Sequence, residues 1–440
     1  GYENTSGRFL SIINESVNSY HTSMLLEPLN EDESSMLIDN LLNLSGFPDT
    51  LREQITNRAG GNPFFIEEVI RSFIDYEAMI FKNGLFVITD KIYDVKVPLT
   101  INEVIMSRID RLDKITKDLI KTASVIGRNF FYRILTAVAM NITEIDVHIN
   151  YLEKIQLIRR RDRGDELEYL FKHILTQQTV YESVLIKKRK ELHLQVAHAI
   201  EDLFIERLCE FFGMLAYHYN MGDDFDKAEE YLVKAGEEAL KSSASNEAFY
   251  YYKEALIIYR NKYGRDADFA KIAMMEKNIG KALVNKGHYK ECQEYIDRAL
   301  DFYGERIPKH PIAIMIKGFA DFSIFITGLY FPFLRRKSTP TDNDKEIFYL
   351  SNYKGQVLAM TEPLKFVILT MSLLKRLVKL DLGMLENATG AGLFAASSTI
   401  FSWSGISEKL SRKILEFVKD KIDMNNPKSV EKKLYSSANL

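Results

Sequence analysis

Few side chains in this sequence stand at spacings that do chemistry. Its eight histidines are scattered. His193 and His198 lie five apart, off the four-residue step that puts two ligands on one helix face, and no carboxylate accompanies them for zinc. Cys209 and Cys292 are far apart and lack metal-ligand spacing, so no metal site is expected. Glu67-Glu68 and Glu237-Glu238 are adjacent on predicted helices, where neighbouring side chains diverge and cannot share a substrate. No Gly-x-x-x-x-Gly-Lys-Ser/Thr occurs anywhere, so the chain has neither the phosphate cradle nor the magnesium-binding hydroxyl of a P-loop. Asp110 and Asp113 lie on an amphipathic helix rather than at the end of an apolar strand, which rules them out as magnesium-binding partners of such a loop. The expectation is no catalytic residue and no cofactor in this chain alone.

One stretch does suit an anion. In Ala59-Gly60-Gly61-Asn62-Pro63-Phe64-Phe65-Ile66-Glu67-Glu68 the glycines can end one helix at positive φ, Asn62 can cap, and Pro63 fits the first position of the next helix. A helix start presents N–H groups and the positive end of a dipole. It suits a phosphate or the rim of a nucleotide pocket, or it is simply a tight helix–helix turn.

The elements that carry this turn are mostly helical. Lys+Arg number 58 against 61 Asp+Glu, a net charge of -3, which gives no global attraction to nucleic acid or to an anionic membrane. With 440 residues, about three domains are expected. Two cysteines fit a reducing compartment, here the cytoplasm, and a first residue Gly1 rather than Met suggests a fragment of something longer. Met24 to Leu29 reads as the last strand of a preceding domain. Asn30-Glu31-Asp32-Glu33 caps a helix over Ser34–Leu44, and Pro48 opens another to Arg58. Phe81–Ile88 forms two extended runs about Asn83-Gly84, and Thr100-Ile101-Asn102-Glu103 is a capping box before a helix carrying Arg108 and Arg111.

From Lys114 to about Leu185 three helices (117–126, 130–140 and 143–155) precede a ribbon, Leu157–Arg161 and Glu168–Phe171, joined through Arg163-Gly164-Asp165. This is a winged-helix outline. Arg159-Arg160-Arg161-Asp162-Arg163 could contact phosphates or be a solvated turn. The acidic Glu144, Asp146 and Glu153 on the presumed recognition helix oppose DNA binding, and no nucleic-acid partner is expected.

Several motifs then fall in one order. They are Leu26-x-Pro28-Leu29, Gly61-Asn62-Pro63-Phe64-Phe65-Ile66-Glu67-Glu68, Arg108-Ile109-Asp110-Arg111-Leu112 after Pro98, Ala123-Ser124-Val125-Ile126-Gly127-Arg128-x-Phe130, and Phe171-x-His173-x-Leu175 with Tyr181. Arg189 with His193 and Ala197, then Leu215-Ala216-x-His218-Tyr219, follow them. Together they resemble the C-terminal half of the STAND class of signalling ATPases, an AAA+-related group found in class III adenylate/guanylate cyclases and in multidomain Ser/Thr or histidine kinases. The match is detailed over about residues 20 to 260. The resemblance implies a missing ATPase core ending in 1–25, an AAA-type lid over 26–113, a winged helix over 114–190, tetratricopeptide-like repeats over 191–305, and a further helical region over 306–440. It implies that Gly61, Asn62 and Pro63 pack against the adenine side of a nucleotide held by that core, and that His173 lies near the β-phosphate of ADP. His173 could equally be a satisfied core residue capping its own helix. ATP or ADP with magnesium would belong to the intact parent, an ATPase linked to a cyclase or kinase output. For Arg108 and Arg111 a structural salt bridge is expected.

Beyond Glu191 the spacing of Ala216, Tyr219, Ala228, Leu232 and Ala235 matches the small and aromatic positions of a tetratricopeptide repeat. So does that of Gly280, Leu283, Cys292, Ile296 and Ala299, with Ala248, Tyr252 and Ala255 between them. Such a solenoid would take a protein partner or a small inducer. Phe322–Leu334 and Asn387–Ser407 carry no charge; both read as buried helices, without membrane insertion. Thr339–Lys345 reads as a polar loop and 425–440 as frayed. The leading function is the regulatory arm of a multidomain signalling ATPase. The alternatives are the arm of a MalT-like transcription activator and an autonomous repeat scaffold.

Overall fold

The structure, a computed structural model, describes residues 25–42, 47–82, 85–163, 166–306, 308, 310–334, 338–381, 394, 397–398, 401–402 and 407–419. It is mostly helical, with two small antiparallel sheets, and divides into Gly1–Ala199 and Ile200–Leu440.

In the first unit, α1 (Glu31–Leu42), α2 (Asp49–Ala59) and α3 (Pro63–Asp75) pack around Ile38, Ile55, Ile66 and Phe73, all fully buried. The start of α1 is a reciprocal cap: Glu33 N–H donates to Asn30 Oδ1 at 2.8 Å and Asn30 N–H to Glu33 Oε2 at 2.9 Å. A hairpin of β1 (Met79–Lys82) and β2 (Leu85–Ile88) pairs Lys82 with Leu85; the Asn83-Gly84 turn lies outside the described residues. α4 (Ile101–Asp110) starts at Thr100, whose hydroxyl accepts from Glu103 N–H. Glu103 reaches back to Leu99 N–H rather than to the cap residue, so the expected box is shifted by one residue. The predicted strand at 24–29 is absent from 25–30: that stretch is irregular, Leu25 and Leu26 are exposed, and the one backbone bond it sends to the turn is Leu29 N–H to Gly61 O at 2.9 Å.

α5 (Lys114–Ile126), β3 (Asn129–Phe131), α6 (Tyr132–Val138), α7 (Ile145–Lys154), β4 (Ile158–Arg163) and β5 (Glu166–Phe171) follow, with sheet order β3-β5-β4. Phe130 and Phe171 are fully buried on this sheet. α7 starts two residues later than the sequence suggests. Glu144 takes positive φ there without a side-chain cap, and the Asp146 carboxylate accepts from Tyr132 Oη at 2.7 Å instead of capping. α8 (Ile174–Glu182) and α9 (Ile186–Leu203) complete this series.

The second unit stacks helices in sequence order: α10 (Phe212–Met221), α11 (Phe225–Lys241), α12 (Ser245–Tyr263), α13 (Phe269–Asn285) and α14 (Tyr289–Phe302). The repeat-like positions read from the sequence are buried here, including Ala216, Tyr219, Ala228, Ala248, Tyr252, Leu283, Cys292 and Ile296. Gly236 and Gly280 permit the close packing: a Cβ on Gly236 would lie 2.7 Å from the Tyr252 ring, and one on Gly280 2.5 Å from Ile296. Glu201 holds the first pair, accepting from the Tyr219 and Tyr231 hydroxyls.

α15 (Pro311–Tyr330), α16 (Asp342–Thr361), α17 (Pro363–Leu377) and α18 (Glu408–Lys419) share a separate core around Phe325, Phe348, Leu374 and Phe394. Two sequence expectations fail here. Thr341 and Asp344 form a full capping box, so the polar run 339–345 opens a helix rather than a loop. Phe322–Leu334 is not a buried helix, because α15 begins eleven residues earlier and buries one face only: Phe319, Ile324 and Tyr330 are exposed. By length and composition α15 is long and apolar enough to cross a membrane, with a third of that span buried. Most of Asn387–Ser407 and all of 425–440 lie outside the described residues.

Candidate functional site

The turn before α3 is built from backbone constraints. Gly60 ends α2 at φ 53°, and Gly61 continues at φ 76°, values that favour glycine. Space also excludes a side chain at Gly61, where a Cβ would lie 2.3 Å from Leu29 O and 2.7 Å from Pro28 Cβ. The Pro28-Leu29 motif and the Gly-Asn-Pro motif therefore form one contact. Asn62 is extended, and its Oδ1 accepts from Phe64 N–H at 3.0 Å; Pro63 occupies the first helical position.

His173 comes to this helix start from a different element. It precedes α8 in extended backbone and makes no side-chain cap, so it does not cap its own helix. Its ring packs on that of Phe64, centroids 4.0 Å apart and planes tilted by 36°. Nε2 is buried and has no hydrogen-bond partner among the described residues. Burial, opposed by Glu68, pushes the imidazole below its ordinary value, so it is neutral at pH 7 with one polar nitrogen unsatisfied. Gly61, Asn62, Pro63 and His173 are thus gathered within one helical turn of Phe64.

One turn further along α3, Glu68 is buried against Arg108 of α4. The guanidinium donates to Glu68 Oε2 at 2.6 Å, to Asp75 Oδ2 at 2.6 Å, and to Ile155 O, just past α7, at 2.7 Å. Burial alone would lower the Arg108 pKa, but Glu68 and Asp75 outweigh it and raise it. Arg108 therefore joins α3, α4 and the end of α7 through one side chain. Arg111 instead donates to Ser72 O at 2.8 Å and stacks over Tyr76. From the sequence Glu68 was weighed only as half of the adjacent pair Glu67-Glu68, not as a buried partner of Arg108. Its signal was there, since it falls at i+3 from Phe65 and four before Ser72 on the buried face of α3, where a carboxylate must be paired.

Two clefts lie elsewhere. One of about 550 Å³ in the first unit is lined by Gln54, Arg58, Tyr93 and Lys96. The other, of about 830 Å³ in the second unit, is lined by Asp297, Arg298, Asp301, Lys354 and Lys365. No cluster of metal-ligating side chains occurs among the described residues.

A family model described as a domain of unknown function (DUF8739) matches residues 30–85, which span α1 to the β-hairpin. No curated protein matches the chain. Among solved structures, the chain is similar to a Signal Transduction ATPase with Numerous Domains (STAND) protein with a tetratricopeptide repeat sensor from Pyrococcus horikoshii. That similarity has 14% identity, a TM-score of 0.27, and coverage of 95% of this chain and 73% of the other. At that level of superposition it assigns no residue here a role.

Proposed function

We propose that this chain is the sensing arm of a multidomain signalling ATPase: a lid (26–113), a winged-helix module (114–190) and tetratricopeptide-like repeats (191–305) with a further helical region (306–440). It couples the state of a nucleotide held by a preceding core, and of a ligand on the repeats, to an output domain such as a cyclase or kinase. The observation that carries this reading is the packing of His173 on Phe64 at the start of α3, with its Nε2 buried and without a partner among the described residues. A buried polar nitrogen without a partner costs free energy unless something satisfies it, and a neutral imidazole beside a helix start suits a phosphate oxygen. Gly61, Asn62 and Pro63 would line the base side, and His173 would donate to the phosphates. The nucleotide supplies the charge that this arrangement detects; no bond is made or broken by these residues. Arg108 would pass the difference on, since the same helix α3 carries Glu68 into the pair that also holds the end of α7. Amide hydrogen exchange on an N-terminally extended form carrying the core checks this. Added ADP should slow exchange over Asn62–Ile70 and around Ile174; unchanged exchange in both segments with ADP bound would refute it.

A further inference from the structure

The exposed face of α15 is charge-free along all twenty residues of the helix. Its two charged residues point inward: Asp321 is buried and paired with Lys317 at 3.0 Å and Lys375 at 2.5 Å. Outward stand Ile312, Met315, Ile316 and Phe319 in the first half, and Ile324 and Tyr330 in the second, with Phe319 70% and Ile316 65% exposed. Ile312, Ile316, Phe319 and Ser323 step by four, three and four, the repeat of a helix–helix seam. The two aliphatic hydroxyls on this face already bond within the helix, Ser323 to Phe319 O and Thr327 to Ser323 O, both at 2.8 Å. Covering the middle of the stripe therefore strands neither of them.

α17 runs parallel beside it, Gly318 meeting Ile368 and Gly328 meeting Val378, so the exposed Leu364 flanks the first half of the stripe. Phe319 and Tyr330 bring roughly 150–250 Å² each when fully exposed, and with the five part-exposed aliphatic side chains the stripe and its flank offer at most on the order of 800 Å² per copy, which is the scale one partner brings to a standard stable interface. Patches of this size on soluble chains mark contacts.

We infer that the stripe pairs with the same stripe of a second copy of this chain, the two α15 helices antiparallel about a two-fold axis at the level of Asp321. The size pattern carries the choice of occupant. In that register Phe319 faces Ser323 of the partner subunit, Met315 faces the partner's Thr327, and Ile312 faces the partner's Tyr330. Large residues thus meet small ones near the axis, and the relation is satisfied twice, as an isologous interface requires. A lipid surface fits less well, because an interfacial helix keeps Lys and Arg beside its apolar face, whereas here both charges are turned into the protein.

Analytical ultracentrifugation of the full chain tests this, with Ile316→Glu as the variant. The wild type should sediment as a concentration-dependent dimer and Ile316→Glu as a monomer of unchanged Tm. Register is read by cross-linking in a Cys209→Ser background. Ala320→Cys should form a disulfide-linked dimer, Ile312→Cys should not, and a mixture of Ile312→Cys with Tyr330→Cys should. A wild type that stays monomeric at the highest concentration reached overturns the proposal, as does a self-linked Ile312→Cys dimer. Flotation of monomeric protein with phosphatidylcholine vesicles, abolished by Ile316→Glu, would assign the stripe to lipid instead.

Discussion

Arg108 and Glu68, 40 residues apart in sequence, meet at 2.6 Å with side chains only 1% and 2% exposed. Removing Arg108 leaves the buried Glu68 carboxylate with Arg71 Nε, 3.8 Å away, as its remaining ion-pair partner among the described residues, and takes the guanidinium from Asp75 as well. Arg108→Met should therefore cost about 3–5 kcal/mol in urea denaturation of the chain. Lys at this position should not restore it, because Nε and both terminal nitrogens are in use and an ammonium cannot reproduce that fork. The double variant Arg108→Met/Glu68→Leu should lose less than the two single losses added together. Strict additivity would show that the pair is not coupled.

His193 gives a pH dependence. It is fully buried, its Nε2 lies 3.0 Å from Tyr181 Oη, and burial with the nearby Arg189 pushes its pKa down to about 4. The unfolded chain binds this proton near 6.5 and the folded chain only near 4, so stability is complete above the first value and falls between the two. The loss should be of the order of 3 kcal/mol over that window. His193→Gln should flatten the stability profile between these pH values, followed by chemical denaturation at each pH. A wild-type profile already flat there would exclude a depressed histidine.

The two glycines of the turn before α3, Gly60 and Gly61, should respond differently to alanine. Both have positive φ, but a Cβ at Gly60 meets nothing within 4 Å while one at Gly61 runs into Leu29 and Pro28. Gly60→Ala should cost about 1 kcal/mol. Gly61→Ala should cost about 2–4 kcal/mol through strain and overpacking together, read as a larger Tm drop. Equal losses would mean that the contact with Leu29 contributes nothing.

What the sequence made legible is what is decided locally. Caps at Asn30, Asn62 and Thr100 act over three or four residues, and each forms where its residue types predicted. The repeat positions from Ala216 to Ala299 follow from helical period and side-chain size, and all pack as expected. Relationships that depend on tertiary approach stayed hidden. The Arg108–Glu68 pair joins two helices through packing that no local pattern encodes, and His173 lies more than a hundred residues from the Phe64 ring that covers it. α15 misled for a related reason: an uncharged run reads as buried, yet only one face of that helix is covered. The strand expected before Pro28 failed because apolar residues alone do not make a ladder; among the described residues nothing pairs with 25–28, and Leu29 bonds to a turn.

The central claim concerns His173 and is tested by calorimetric titration of ADP into the N-terminally extended protein, wild type against His173→Ala. The buried Nε2 of His173 has no hydrogen-bond partner among the described residues that its removal could break, so the variant should fold with little change in Tm. Loss of one hydrogen bond to a charged phosphate should weaken ADP about tenfold or more, corresponding to about 1.5–3 kcal/mol. An unchanged Kd for the folded variant would contradict the sensing role of this site.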